Sequence, residues 1–285
     1  MKIIRYFFEF LFISILFFIF KIIGYKKASN LGGVIGKKIG PFFRSNFKIQ
    51  NNLEKSNIGV SKKDREIIIN SMWSNYGRIL SEYIFLSQFR ENKLNEFIEI
   101  EGLDFLENIK KNNEQVVFVS GHFNNFELMA MEIEKSGIEL CTIYRPLNNP
   151  FLNIIMEKLR KKYICKNQIK KGKSGTRHLL SLFRENFSVA LMIDQRVSEG
   201  ISINLFKRQA KTTTIPAQLT KKYGCKIVPV YIERLKNFHF KLSFKEPIQF
   251  DNNTTIEQIS LELNKILEKM ILKNPDQWIW SHDRW

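Results

Sequence analysis

His122 and Glu127 are the residues of this chain whose types and spacing best fit catalysis. In the segment 115–127 an apolar run ends at Gly121-His122, and an amphipathic run, 126–136, follows. This pattern predicts that His122 lies at the carboxyl end of a buried strand and Glu127 on the first turn of the next helix. If Glu127 holds one ring nitrogen of His122, the other is free to take a proton from a hydroxyl.

Two further candidate residues, Arg145 and Asp194, follow other strand-like runs. The carboxyl ends of parallel strands share one edge of a sheet, so we expect both near His122. Arg145 is suited either to phosphate binding or to a salt bridge that orders the loop 146–150. Asp194 would orient Arg145, position His122 or form a local hydrogen bond in its own loop. Gln195 is the weaker candidate beside it.

The elements that position these residues alternate between strands and helices. This alternation predicts an α/β fold with a mixed, mainly parallel central sheet covered by helices. The predicted strands are 97–100, 116–120, 140–144, 189–193 and 227–232, with an edge strand over 239–250. The predicted helices are 61–86, 103–112, 126–136, 150–162, 175–186, 215–223 and 254–273.

Two regions of the sequence each allow two structural interpretations. Residues 28–60 predict short helices broken by Gly and Asn, and the spacing of Gly32, Gly36 and Gly40 favours a flexible turn over close helix packing. The terminal residues Trp278, Trp280, Arg284 and Trp285 fit an interfacial aromatic cluster and a core plug equally well.

The N-terminus predicts a membrane anchor. Residues 7–20 contain only two polar side chains, Glu9 and Ser14, and the apolar segment is just long enough to cross a bilayer core. A helix lying within one leaflet fits as well, and a buried core helix is the remaining alternative. We therefore divide the chain into an anchor helix, 1–27, and one cytosolic domain, 28–285.

The charge and the cysteine content of the chain restrict the partners and the cellular compartment that we expect. The formal net charge of +17 predicts an acidic partner, and the run 158–177 contains nine Lys/Arg and no acidic residue. A solvated helix face explains such a run too. The isolated residues Cys141, Cys165 and Cys225 indicate reduced thiols. Because Cys and His lack zinc-ligand spacing, we expect no metal.

The ordered motifs of the chain resemble those of the bacterial lipid A biosynthesis acyltransferases, the lauroyl/myristoyl transferase family within the glycerolipid-type HxxxxD/E acyltransferases. The resemblance covers nearly the whole chain. It rests on Gly121-His-Phe-Asn-Asn-Phe-Glu127, Tyr144-Arg-Pro-Leu-Asn-Asn-Pro150, Asp194-Gln195, Ile227-Val-Pro-Val230 and the tail 275–284. One departure is Leu205-Phe206-Lys207, where the family usually has Phe-Phe-Gly.

This resemblance implies a glycerolipid-acyltransferase-like fold and an O-acyltransferase. His122 would be the general base and Glu127 its partner, with Arg145, Asp194, Gln195, Arg177 and Asn125 binding substrate and with no cofactor. The donor would be an acyl carrier protein thioester, or acyl-coenzyme A, and the acceptor a phosphorylated glycolipid. The enzyme would sit on the cytoplasmic side of the bacterial inner membrane, against its anionic leaflet.

Two other functions remain open at this point. One is an acyltransferase of the same fold that acts on another glycolipid or on a lysophospholipid. The other is a non-catalytic, membrane-anchored basic binding protein. We do not expect nucleic acid as a partner, since the basic run 158–177 has only Tyr163 as a stacking residue.

Overall fold

A computed structural model describes residues 2–236 and 238–285. The helices are α1 (Lys2–Ile23), α2 (Tyr25–Phe43), α3 (Asn46–Ser56), α4 (Lys62–Glu82), α5 (Leu86–Arg90), α6 (Leu103–Lys111), α7 (Glu127–Lys135), α8 (Pro150–Leu159), α9 (Lys173–Arg184), α10 (Ile215–Tyr223) and α11 (Ile256–Lys273). The strands are β1 (Ile98–Glu101), β2 (Val116–Ser120), β3 (Leu140–Tyr144), β4 (Asn167–Lys170), β5 (Ser188–Met192), β6 (Ile201–Leu205), β7 (Arg208–Thr212), β8 (Lys226–Arg234) and β9 (Phe240–Phe244). A π-helical turn, Arg160–Ile164, extends α8.

The central sheet has the strand order β1-β9-β8-β2-β5-β3-β4. The run from β4 to β8 is parallel, β9 is antiparallel to β8, and β1 is parallel to β9. Apolar side chains fill the inner strands, and all five residues of β2 are buried. The predicted α/β fold with a mainly parallel sheet is confirmed.

The structure differs from the predicted elements at four strands. The predicted edge strand over 239–250 is shorter, and as β9 it lies between β8 and β1 rather than at the edge. Strand β4 and the hairpin β6–β7 were not predicted. Their sequences are largely polar, because β4 is an edge strand and the hairpin forms a separate two-stranded sheet.

The glycines of α2 allow close packing against α4, so the flexible turn predicted for them is wrong. At Gly36 a Cβ atom would overlap the backbone of Trp73 and Gly77, and at Gly40 it would overlap the Trp73 ring. The absence of side chains at these positions lets the two helix backbones approach each other. This contact places α4 where it can form one wall of the site described below.

The C-terminal segment is a core plug rather than an exposed aromatic cluster. Trp278, Trp280 and Arg284 are all buried. The guanidinium of Arg284 donates hydrogen bonds to the Lys211 carbonyl (2.7 Å) and to the Thr212 hydroxyl (2.9 Å) in β7. The segment therefore ties the hairpin to the rest of the protein.

Helix α1 has the length and composition of a membrane span. It is the one helix among residues 2–236 and 238–285 that meets these two criteria. Only 6% of its most apolar 18-residue stretch is buried. One side of the helix contacts the protein, where the Phe7 and Phe10 rings lie 5.8 and 5.9 Å from Phe151 of α8. The remaining surface is a large exposed apolar face.

Candidate active site

The parallel register of β2 and β5 brings His122 and Asp194 together. Ser120 pairs with Met192 at the end of the two strands, and each candidate residue lies two positions further on. Gly121 gives the chain room to turn, because a Cβ atom there would overlap the Phe123 ring. The tail supports this turn through a bridge between Phe123 and Trp278.

The carboxylate of Asp194 holds His122 by two hydrogen bonds. Its Oδ1 atom lies 2.7 Å from Nδ1 of the ring, and its Oδ2 atom accepts the backbone N–H of His122, also at 2.7 Å. The Trp278 indole donates to Oδ2 at 2.8 Å. Burial alone would raise the pKa of Asp194, but the His122 charge and these hydrogen bonds lower it to about 2. An ionised Asp194 fixes the proton of His122 on Nδ1 and leaves Nε2 as the acceptor nitrogen.

Gln195 bridges His122 and His282. Its amide nitrogen lies 3.3 Å from Nε2 of His122 and 3.2 Å from Nε2 of His282. Burial lowers the pKa of His282, and the charge that His122 carries when it is protonated acts in the same direction. The neutral form of His282 is therefore favoured. The position of the Gln195 amide nitrogen is one that a hydroxyl oxygen could also occupy.

Glu127 forms a buried ion pair with Arg160, which corrects the predicted pairing with His122. The Arg160 Nε and Nη2 atoms donate to Oε1 of Glu127, at 2.8 and 2.5 Å. The Tyr83 hydroxyl donates a hydrogen bond to the same oxygen. Burial opposes the charge on Arg160, but the Glu127 carboxylate raises the pKa of Arg160 above its ordinary value. The ring nitrogens of His122 bond instead to Asp194 and Gln195.

A small, open and largely apolar cleft adjoins His122. Helix α4 and the C-terminal segment form its walls, with the Phe126 ring packed 4.7 Å from the imidazole. The lining includes Met72, Tyr76, Ile79, Phe126, Trp278 and Ile279. Such a surface suits a hydrocarbon chain next to a proton acceptor.

The other predicted binding residues lie in different environments. Arg145 is exposed at the end of β3. Burial is the main cause of the lowered pKa of His282, and the positive charge of Arg145 makes a smaller contribution in the same direction. Arg177 is exposed on α9 and, within the described ranges, forms no hydrogen bond or ion pair with the His122 group. The structure therefore brings Arg145, but not Arg177, close to this group.

Asn125 is fully buried and its side chain points into the protein. The amide donates to Oε2 of Glu82 at 3.2 Å. Glu82 also forms a two-point ion pair with Arg234, at 2.8 and 3.1 Å. The predicted binding residue thus connects the His122 loop to a buried charge pair between α4 and β8.

Three residues of the site were missed in the sequence. In the sequence, Arg160 is one member of the basic run 158–177, Trp278 is one of the terminal aromatic residues, and His282 has no partner at catalytic spacing. The positions of these three residues in the sequence do not predict their contacts, because the partner of each residue is distant in sequence. Across residues 2–236 and 238–285, no group of three or more His, Cys, Asp or Glu side chains could hold a metal ion.

The chain is similar in sequence to known proteins. Residues 1–285 match the family described as bacterial lipid A biosynthesis acyltransferase. A lipid A biosynthesis palmitoleoyltransferase of Escherichia coli K12 is 25% identical over 262 residues, 88% of this chain and 83% of that protein. The lauroyltransferase of the same organism is 23% identical over 288 residues, 98% of this chain and 92% of that protein.

Proposed function

This chain belongs to the bacterial lipid A biosynthesis acyltransferase family, and we propose that it moves a fatty acyl chain from an acyl carrier protein to a hydroxyl of a phosphorylated lipid A precursor. The observation that carries this proposal is the orientation of His122. Asp194 holds Nδ1, which leaves Nε2 as the acceptor nitrogen, and the His122 side chain lines the apolar cleft. A base positioned beside a hydrocarbon site fits the transfer of an acyl group to an alcohol.

In the mechanism, Nε2 of His122 takes the proton of the acceptor hydroxyl. The hydroxyl oxygen forms a new bond to the thioester carbon, and the carbon–sulfur bond then breaks to release the carrier thiolate. The proton held by His122 passes to that thiolate, so the base returns to its starting form. Asp194 keeps Nδ1 protonated and stabilises the imidazolium that forms. Thiolates leave readily because thiol pKa values are near 8.5.

Gln195 must release Nε2 before the hydroxyl can approach, because its amide nitrogen lies 3.3 Å from that atom. We assign it the role of binding the acceptor once it has moved. Glu127 is a positioning residue in this scheme. It holds the Arg160 guanidinium beside the start of α7, where a positive charge would stabilise the oxyanion or a substrate phosphate.

The basic character of the protein suits both substrates. Carrier proteins of this kind are acidic, and the acceptor carries phosphate. Arg145 is exposed near His282 and is placed to meet an acceptor phosphate. The remaining basic residues of 158–177 would attract the carrier. The anchor would be residues 1–27, with the catalytic domain, 28–285, on the cytoplasmic side of the inner membrane.

Two alternatives carry less support. Another glycolipid or a lysophospholipid as the acceptor would use the same base and the same cleft, so only the acceptor distinguishes that function. Membership in a family of acyltransferases favours an enzyme over a non-catalytic basic binding protein.

The test is an acyl-transfer assay on membranes that contain the protein. The donor is radiolabelled acyl carrier protein, the acceptor is a tetraacylated lipid A precursor, and His122→Ala is the matched variant that lacks the candidate base. We expect transfer by the wild type, a loss of at least about 10² in the variant, and no effect of EDTA. Transfer to a lysophospholipid alone would contradict the proposed acceptor, and undiminished transfer by the variant would remove His122 from the mechanism.

A further inference from the structure

Three phenylalanines project into solvent where α2 ends and α3 begins. The side chains of Phe42, Phe43 and Phe47 are 88%, 79% and 74% exposed. We call these three residues the phenylalanine corner. Exposed aromatic side chains clustered within one turn of chain are costly in water, which makes such a cluster a candidate contact surface.

The phenylalanine corner is fixed to the rim of the His122 cleft. Trp73 of α4 packs against Gly40, and its indole donates a hydrogen bond to the Asn46 side chain at 3.2 Å. The Trp73 ring lies 5.7 Å from Tyr76, which lines the cleft. Trp73 therefore connects the phenylalanine corner to the cleft.

The segment that follows the corner is tied to the other wall of the cleft. Asn52 of α3 donates hydrogen bonds to the carbonyls of Trp280 (2.8 Å) and His282 (2.6 Å). Burial lowers the pKa of His282, and the positive charge of Arg44 adds to this effect, as expected for a guanidinium near the cleft. The corner and the catalytic group therefore belong to one connected part of the protein.

The charge around the corner identifies the kind of surface that would cover it. Residues 25–53 contain six Lys/Arg and no Asp or Glu. Lys37, Lys38, Arg44 and Lys48 are all exposed. Aromatic side chains interleaved with lysines match a bilayer whose surface carries anionic headgroups, because the rings enter the interface while the cations stay among the phosphates.

We propose that the phenylalanine corner is a second membrane contact, separate from α1, which inserts into the anionic leaflet and places the mouth of the His122 cleft against the lipid. A lipid acceptor could then enter the cleft from the leaflet without crossing water. The membrane contact stands on the corner itself, and only its consequence for acceptor entry rests on the proposed function.

An environment-sensitive fluorophore can test the contact directly in the full chain. The probe is attached to Phe43→Cys, since the native cysteines are buried. Asn253→Cys provides the control, because Asn253 is exposed near the start of β8, at the sheet edge opposite His122. Both proteins are reconstituted in vesicles of phosphatidylethanolamine and phosphatidylglycerol, with and without doxyl-labelled lipid.

We expect a blue-shifted, lipid-quenched signal at position 43 and a water-like, unquenched signal at position 253. Vesicles of phosphatidylcholine alone should give a weaker shift at position 43. A water-like signal at both positions would overturn the proposal. A blue shift at position 43 that appears in detergent and grows with protein concentration would also overturn it, since it would assign the corner to a second copy of the chain.

A kinetic test separates this contact from the reaction itself. In the triple variant Phe42→Ser/Phe43→Ser/Phe47→Ser, α1 still holds the protein in the membrane. We expect the KM for the acceptor in vesicles to rise about tenfold, with little change in detergent, where the acceptor is freely dispersed. Leu103→Ser removes an exposed apolar side chain at the opposite sheet edge and should change neither value. Equal KM values for the triple variant and the wild type in vesicles would contradict the proposed route of acceptor entry. The membrane contact itself is tested separately, by the fluorescence experiment.

Discussion

Asp194 accepts both the backbone N–H and the ring Nδ1–H of His122, so one carboxylate fixes the position and the tautomer of the candidate base. Replacement of Asp194 by Asn keeps the size of the side chain but removes its charge. The amide can also offer an N–H to Nδ1, which favours the tautomer with the proton on Nε2. The general base would then be blocked.

Asp194→Asn should therefore reduce kcat by about 10²–10⁴, with a smaller change in the KM for the donor. Steady-state acyl transfer in detergent measures both constants. His122→Ala provides the matched comparison, and a double variant should be no slower than the slower single variant, because the two residues act as one unit. Additive losses in the double variant would contradict this prediction.

Glu127 and Arg160 form a buried pair, with side-chain exposures of 8% and 14%, so removal of one partner leaves an uncompensated charge. Glu127→Gln or Arg160→Gln should each lower the free energy of unfolding by about 3–5 kcal/mol. The double variant should recover part of this loss. Chemical unfolding in detergent measures the cycle, and equal stability of all four proteins would show that the pair is not formed.

The same variants distinguish a positioning role from a direct one. If Glu127 acts through Arg160, then Arg160→Gln should lower kcat as much as Glu127→Gln does. Acyl transfer measured well below the unfolding temperature of each variant provides the comparison. A large kcat loss in Glu127→Gln alone would instead return Glu127 to direct contact with the reacting groups.

Gln195 lies within hydrogen-bond distance of both His122 and His282, so its removal tests the proposed binding of the acceptor. We expect Gln195→Ala to raise the KM for the acceptor about fivefold, the effect of losing one hydrogen bond of about 1 kcal/mol. Hydrolysis of the donor by water should not slow. A fall in donor hydrolysis to the level of His122→Ala would place Gln195 in the proton-transfer step instead.

Much of the fold follows from the apolar pattern of the sequence. Strands β2 and β3 were predicted with their observed bounds, because each is a short apolar run that the sheet buries or half-buries. The pattern fails at β4, where only Ile169 is buried, and at the hairpin, where outward-facing side chains are polar. An edge strand needs little apolar surface, so its sequence resembles a loop.

The pairing of His122 with Asp194 in the candidate site could not be predicted, although its members could. His122 and Asp194 both end strand-like runs, which placed them at one edge of the sheet. The sequence does not reveal that β5 lies next to β2, ahead of β3 in the strand order. Without that order, Glu127 was the nearest carboxylate in sequence, while the true partner of His122 is 72 residues away.

The buried cysteines provide a test of the core. Burial raises the pKa of Cys141 and of Cys165 to about 12. Since the thiolate is the reactive form, neither thiol should react with an aromatic disulfide reagent at pH 8 until the protein unfolds. Cys225, whose pKa burial also raises, should behave in the same way. Rapid modification of any thiol in the folded enzyme, followed by mass spectrometry, would show that its part of the core opens.

The lowered pKa of Asp194 predicts how stability depends on pH. In the unfolded chain this carboxyl titrates near its ordinary value of 3.8, whereas in the folded protein it titrates at about 2. The folded state thus binds the proton more weakly, and the stabilisation by ionised Asp194 is fully present above about pH 4. It should be lost as the pH falls from about 4 to 2, at a cost of about 2 kcal/mol.

Urea unfolding in detergent, followed by tryptophan fluorescence at pH 5, 4, 3 and 2, measures this loss. Other carboxyls also titrate in this range, so the decisive quantity is the difference between the wild type and Asp194→Asn at each pH. That difference should shrink by about 2 kcal/mol between pH 5 and pH 2, since the variant lacks the titrating group. A difference that stays constant over the range would show that Asp194 is not held ionised by His122 and Trp278.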